Sequence, residues 1–338
     1  MRNSRLWRLA AVGLSLLYAG GSHATLLDDI GYTALSELLG EALPEGDLST
    51  VDQVEASSPG DADPFIYLAN DAIFPSTTVV DRSGTNSSEF SSHANGVATR
   101  FAAGAASQTP ALAQIDGYEV NNWLINVLNW SSSPLPVENT GVVGNHSYRA
   151  GFENPVDAAE FLLRYDWLIA EDDYFLAAGA TSASSSLLFA HAMNGVTVKN
   201  TAATASMSSV EIDATYVAGR PAIHLVVPEV LSSNATAVVT SSVILLREIF
   251  PSLSLNPAVL KAGLMAGADR QTSNSQNGDL LNYGALPSLN GLDYRYGAGQ
   301  LNVFNSYNII AGGEQDSGAV ILESGYDIVE SYGSENEV

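Results

Sequence analysis

Residues Arg220 to Ala268 read RPAIHLVVPEVLSSNATAVVTSSVILLREIFPSLSLNPAVLKAGLMAGA. Ala222 to Val227 is a short β-rich run that Pro228 stops. After a loop ending in Ser232 and Ser233, Ala235 to Phe250 stays apolar almost without a break. A run that long exceeds a strand and predicts a helix buried over most of its surface. Pro251 ends it, and Asn256 with Pro257 predicts the next helix, Asn at the cap and Pro in the first turn. Ser233 thus stands where a loop becomes a buried helix. Two roles are open to a serine there: Ser232 or Ser233 caps the helix, or Ser233 is a nucleophile beside first-turn N–H groups free to hold an oxyanion.

Working back from this stretch, short β-rich runs alternate with longer helical ones. Thr77 to Asp81, Ala111 to Val120, Gly141 to Ser147, Tyr174 to Gly179 and Gly195 to Lys199 read as strands. His93 to Ala103 and Pro155 to Ala170 read as helices, and a Trp-bearing helix follows Val120. That alternation predicts an α/β fold, a doubly wound, mostly parallel sheet with helices on both faces. Residues 25–60 mix Leu and Ile with acids and predict one short amphipathic helix, Ile30 to Leu43, followed by connectors. The acidic, Gly- and Ser-bearing tail, 313–338, reads as one more strand and then disorder. The expected division is a signal peptide over 1–24, an N-terminal segment and linker over 25–60, one domain over 61–312, and the tail.

The first 24 residues carry Arg2, Arg5 and Arg8, an apolar run from Leu9 to Tyr18, and Ser22-His23-Ala24 before Thr25. This pattern predicts export, and the apolar run is too short to span a bilayer. No other segment is long and apolar enough, so the processed chain is expected to carry no membrane anchor. The formal net charge of −24 deepens on processing, because three arginines and no acid are removed. Such a surface argues against nucleic acid or anionic membrane as partner. The absence of cysteine excludes thiolate chemistry and disulfides.

A nucleophilic serine needs a base, and the processed chain offers His93, His146, His191 and His224. His224 has apolar strand neighbours and reads as a satisfied core histidine; His191 reads as surface; His146 lies on a strand. His93 differs, sitting in a polar turn, Ser91-Ser92-His93-Ala94-Asn95-Gly96-Val97-Ala98, that enters a small-residue helix.

Several of these stretches, in order, resemble the motifs of subtilisin-like serine peptidases. Leu231-Ser232-Ser233-Asn234-Ala235-Thr236-Ala237 is similar to the G-T-S-x-A-x-P nucleophile segment, with Leu231 and Ala237 in place of Gly and Pro. His93 takes the place of the base in H-G-T-H-V-A-G, with Val97-Ala98 matching and Gly96 at the noncatalytic second His. Tyr296-Gly297-Ala298-Gly299-Gln300-Leu301-Asn302 resembles the Y-G-x-G-x-x-N segment before the last helix. Asp81-Arg82-Ser83-Gly84 resembles the end of a V-x-x-D-x-G strand, which makes Asp81 the orienting acid; the alternative puts that acid upstream, at Asp71 or Asp63, or has it lost. Ala177-Ala178-Gly179 matches the A-A-G strand, but Ala180 then stands where the family carries its oxyanion Asn, and Thr181 follows.

The resemblance implies a secreted serine endopeptidase acting through Ser233, His93 and Asp81 on a polypeptide substrate. That substrate would lie extended beside an edge strand near Ser147 and Tyr148. No cofactor is required; calcium for stability is permitted by the acidic loops, though no segment spells a site. Ala180, the altered Ser233 motif and the absence of a long folded pro-segment motivate an alternative: a catalytically weak or silent relative that binds peptide or protein. A different α/β hydrolase would want a G-x-S-x-G elbow, which Ser233 lacks.

Overall fold

The computed structural model describes residues 23–56, 73–84, 91–137, 141–148, 154–180, 188–202, 206–252, 256–270, 283–284, 286–315, 320 and 322–328. Residues 1–22 of the expected signal peptide, Asp63, Asp71, Thr181 and most of the expected tail lie outside them. In chain order the elements are α1 (His23–Asp29), α2 (Tyr32–Leu39), β1 (Thr50–Glu55), β2 (Thr78–Asp81), α3 (Ser92–Ala98), β3 (Gln114–Glu119), α4 (Val120–Asn126) and β4 (Val143–His146). Then follow α5 (Pro155–Glu171), β5 (Phe175–Gly179), β6 (Val196–Asn200), β7 (Leu225–Val227), α6 (Ser232–Ile249), α7 (Pro257–Ala266) and α8 (Val303–Ala311).

The seven strands form one sheet in the order β2-β3-β1-β4-β5-β6-β7, with every pairing parallel. From β1 the chain goes first to the outermost strand β2, returns to β3 between the two, and then builds outward on the other side from β4 to β7. The order therefore reverses between β1 and β4, and the crevice at the C-terminal ends of strands beside such a reversal is where ligands bind in open α/β sheets.

Helices cover both faces. Val51, Val143, Phe175, Val196 and Val198 join the core formed with α3, α6, α7 and α8, while Val54, Leu176 and Ala178 join Trp123 of α4 and Phe161, Leu162 and Tyr165 of α5. The two sets come from alternate positions along each strand, as the pleat requires. The expected doubly wound α/β architecture is what the chain adopts.

The 18-residue α6 is buried from Ala235 to Arg247 and packs across β4, β5, β6 and β7. A helix buried on all sides must satisfy its own hydroxyls. Thr236 Oγ1 donates to the Ser232 carbonyl at 2.8 Å, Thr240 Oγ1 to Thr236 at 3.1 Å and Ser242 Oγ to Val238 at 3.0 Å. Gln108 caps this arrangement, its side-chain amide donating to the Val238 carbonyl and to Ser242 Oγ. Among the described residues no helix is long and apolar enough to cross a membrane.

The Tyr296–Asn302 segment runs alongside β7, Ala298 N donating to the His224 carbonyl at 2.8 Å and Leu301 N to Val226 at 2.9 Å. Gly297 has φ +62° and Gly299 φ +136°, and a Cβ at either would collide with the backbone of His224 or Asp269. Glycine at both positions is a steric requirement of this crossing. Asn302 then caps α8, its side chain accepting from Asn305 N at 3.0 Å.

One element differs in kind from expectation. The segment read as linker supplies β1, the strand on which the sheet reverses, bonded to β3 on one side and β4 on the other. Its sequence, TVDQVE, mixes three β-branched residues with two acids and an amide, whereas central parallel strands usually read as apolar runs. The polar members are nonetheless buried: Asp52 is fully inaccessible, Gln53 is 1% exposed and Glu55 2%.

Candidate active site

Glu55 ends β1 at the C-terminal edge of the sheet, and its Oε2 lies 2.8 Å from His93 Nδ1. His93 occupies the first turn of α3. Ser91 sets that turn, its hydroxyl accepting from Ala94 N at 3.2 Å, and the small residues Ala94, Val97 and Ala98 then bury the helix against the core. The imidazole side chain stays 38% exposed while its acid is 3% exposed, a base that reaches solvent held by a partner that does not. The hydrogen bond that His93 Nδ1–H donates to Glu55 raises the His93 pKa above 6.5, against an opposing effect of burial.

The other histidines are pushed the opposite way. Burial lowers His146 to about 3, and burial with Arg220 nearby lowers His191 to about 4. His224 falls well below its ordinary value through burial, and its Nδ1 accepts from Thr197 N at 2.9 Å. His224 is the core histidine its neighbours suggested, whereas His191, read as surface, is buried. His146 is packed edge-on against Trp123 at 4.6 Å between ring centroids. Of the four, His93 alone reaches solvent and has its pKa raised rather than lowered, as a base that takes up a proton requires.

Ser233 lies in the first turn of α6, one residue inside the helix. The N-cap position is Leu231, and no side chain caps this helix, in contrast to α3, α4, α5, α7 and α8. The capping role left open for Ser232 and Ser233 is thus taken by neither. Ser232 Oγ instead donates to Asn200 Oδ1 at 3.2 Å, at the end of β6. The Ser233 carbonyl accepts from Ser147 Oγ at 3.0 Å, and Ser147 also donates to Asn145 Oδ1 at 2.8 Å. Gly179, ending β5, comes close enough to Thr236 and Ser147 that a Cβ would touch both. The ends of β4, β5 and β6 therefore seat the start of α6.

Helix α3 packs against α6, so His93 and Ser233 open two contacting helices at the same edge of the sheet. A further link ties the two segments: Arg100 Nε lies 3.0 Å from Glu229 Oε1, in the loop that leads to Ser233. Among the described residues, His93 Nε2 and Ser233 Oγ are not hydrogen bonded to one another. Catalytic hydrogen bonds often tighten only once substrate is bound.

Asp81 sits elsewhere. It ends β2, at the outer edge of the sheet, and its exposed carboxylate accepts from Ser83 N and Gly84 N, both at 2.8 Å. The acid paired with His93 is Glu55, upstream of Asp81 on the inner strand β1. Sequence reading passed it over because its strand was not recognised; the available signal was the β-branched T-V-x-x-V spacing closed by an acid. Nor is β4 an edge strand, since β1 and β5 flank it, so Ser147 and Tyr148 emerge at the middle of the sheet.

Ala180 is fully buried, and its N–H is committed to the Val198 carbonyl at 2.8 Å. Neither its side chain nor its amide is free to donate to a substrate oxygen. Among the described residues no group of three or more His, Cys, Asp or Glu could hold a metal ion.

No known family's sequence profile matches the chain, and no curated protein matches it in sequence. Its architecture does have relatives among solved structures. A lanthipeptide protease matches with a TM-score of 0.54 at 11% identity, over 85% of this chain and 94% of that one. The MycP3 protease from the type VII (ESX-3) secretion system matches at 0.52 and 11%, over 85% and 88%. The serine protease of Aeromonas sobria matches at 0.51 and 13%, over 79% of this chain and 61% of that longer one. At such identities the likeness is one of fold, and the fold is the subtilisin-like, doubly wound parallel α/β sheet.

Proposed function

We propose that this chain is an exported serine endopeptidase that hydrolyses polypeptide through Ser233, His93 and Glu55. The observation that carries the reading is the 2.8 Å contact between His93 Nδ1 and buried Glu55, at the edge where the first turn of α6 carries Ser233. With Nδ1–H donated to Glu55, the other ring nitrogen, Nε2, is the acceptor. As Ser233 Oγ attacks the scissile carbonyl carbon, its proton passes to Nε2, and the carbonyl π electrons move onto oxygen. Glu55 stabilises the imidazolium that forms. Collapse of the tetrahedral species expels the amine, which takes the proton back from Nε2. Water repeats the sequence to release the acid and restore the Ser233 hydroxyl.

The oxyanion needs donors, and the Ala180 position offers none. The first turn of α6 does: its leading N–H groups lack intrahelical acceptors and no side chain caps them. Ser233 rather than Ser232 is the nucleophile because Ser232 Oγ is engaged by Asn200. Export rests on the N-terminal pattern, and the acidic surface suits a polypeptide rather than a nucleic-acid partner. Calcium enters no step.

Ala180 also favours a second reading, a weak or silent relative that binds polypeptide without cutting it. Labelling with a fluorophosphonate probe separates the two. Wild type labels while Ser233→Ala and His93→Ala do not, if Ser233 is activated. Equal silence in all three, with the folded state intact, rejects the peptidase reading in favour of the binder.

A further inference from the structure

We propose that Gln53 is a positioning residue that fixes the Glu55 carboxylate and the backbone of the His93 turn as one unit. This rests on the peptidase reading for its consequence in turnover, but the geometry stands by itself. Gln53 and Glu55 are two apart on β1, so both side chains leave the same face of the sheet, toward α3 and α6. Gln53 Nε2 donates to Glu55 Oε1 at 2.8 Å and to the Ala94 carbonyl at 3.0 Å. One amide nitrogen thus touches the oxygen of Glu55 not facing His93 and the backbone of the residue that follows His93. Gln53 is 1% exposed, so these contacts face no competition from water.

The need for such a residue follows from the acid being glutamate. Compared with aspartate, it has one more rotatable bond between backbone and carboxylate, so its oxygens sweep a wider volume. Orientation of a base through a freely turning acid is poor, and misplacement by about an ångström costs roughly 100-fold in rate. A donor on the second oxygen removes that freedom. Because the same donor holds Ala94, a shift of α3 and a rotation of Glu55 are coupled. The buried cluster at Asp52 faces away from this one, on the opposite side of the strand, and among the described residues the ionic partner of His93 is Glu55.

Gln53→Met keeps length and volume but removes the donor. In the full chain, kcat for a peptide substrate should fall roughly 10- to 100-fold with KM nearly unchanged. The NMR titration midpoint of His93 should move down from its raised value toward that of an ordinary imidazole. Gln53→Asn keeps the amide but withdraws it by one methylene; it should show both changes, and carries the test if the Met variant does not fold. A thermal midpoint that falls while kcat and the His93 titration stay at wild-type values would make Gln53 a packing residue and overturn the proposal. If wild type fails to label at Ser233, the peptidase reading falls, and the His93 titration still decides the role of Gln53.

Discussion

Two acids lie three residues apart on β1 and meet opposite fates. Asp52 points to the face covered by α4 and α5, Glu55 to the face covered by α3 and α6, because an odd spacing puts them on opposite sides of the pleat. Both are almost wholly inaccessible. Asp52 stands in register with Asp116 on β3, whose partner is Arg82 at 2.9 Å, and neither Asp52 oxygen has a well-formed hydrogen bond. Burial, then repulsion from Asp116, push its pKa up to about 8, with Tyr174 and the Gly141 backbone only softening that rise. Glu55 meets an amide donor on one oxygen and an imidazole on the other. Equal burial with unequal partners leaves one acid that holds its proton near neutrality and another equipped to orient a base.

The strongest test of that contrast exchanges each carboxyl for its amide. Glu55→Gln should lower kcat/KM by about 10⁴-fold, the effect known for removal of a triad acid's charge, whereas Asp52→Asn should leave turnover within about twofold, since loss of a group already neutral removes no charge. The pH profile gives the same contrast in another form. Catalysis needs neutral imidazole, so the acid limb of kcat/KM in wild type should lie above pH 6.5, where Glu55 has moved His93. Glu55→Gln removes the cause, leaving only burial, and the limb should move to 6.5 or below. The same pairing contributes stability in full below about pH 6.5 and loses it as pH rises through the higher folded value.

Asp52→Asn should show itself in stability instead. With a folded pKa of about 8 against 3.8, the folded chain holds a proton that the unfolded chain releases across that window. Stability therefore declines as pH rises from about 4 to about 8, the reverse of a salt-bridged carboxylate. The asparagine variant titrates in neither state. Its stability at pH 8.5 relative to pH 5 should exceed that of wild type by on the order of 3 kcal/mol, a figure discounted for local relaxation. Urea unfolding at the two pH values measures it, and parallel curves for the two proteins would mean that Asp52 is ionised in the fold.

The contrast also marks what the sequence could carry. The Ala222–Ala268 stretch was legible because apolar run length and proline punctuation reflect burial and backbone restriction directly, and α6, α7 and β7 formed close to where those signals put them. Ser233 and His93 were singled out through local spacing, and the fold puts them in the first turns of α6 and α3. Strand β1 was not legible, since the burial of Asp52, Gln53 and Glu55 depends on groups far along the chain: Asp116, whose charge disfavours ionised Asp52, the Ala94 carbonyl that Gln53 reaches, and His93 against Glu55. A polar residue looks exposed until its partner is known. The same blindness promoted Asp81, which has the motif's neighbours but ends the outermost strand.

Asp81→Ala is the smallest expected effect and bears most directly on that exchange of acids. Asp81 is exposed, and its oxygen accepts from Ser83 N and Gly84 N, closing the turn that leaves β2. Gly84 there has φ +64°, so the turn is already set by glycine. Removal of an exposed turn acceptor costs about 0.5–1 kcal/mol, because water replaces most of what is lost. Turnover should stay within about twofold, and the acid limb should stay where Glu55 holds it. A drop in kcat/KM comparable to that of Glu55→Gln, or a downward shift of the acid limb, would return the orienting role to Asp81. Unchanged kinetics with a slightly lower unfolding midpoint would leave Glu55 as the acid on which His93 depends.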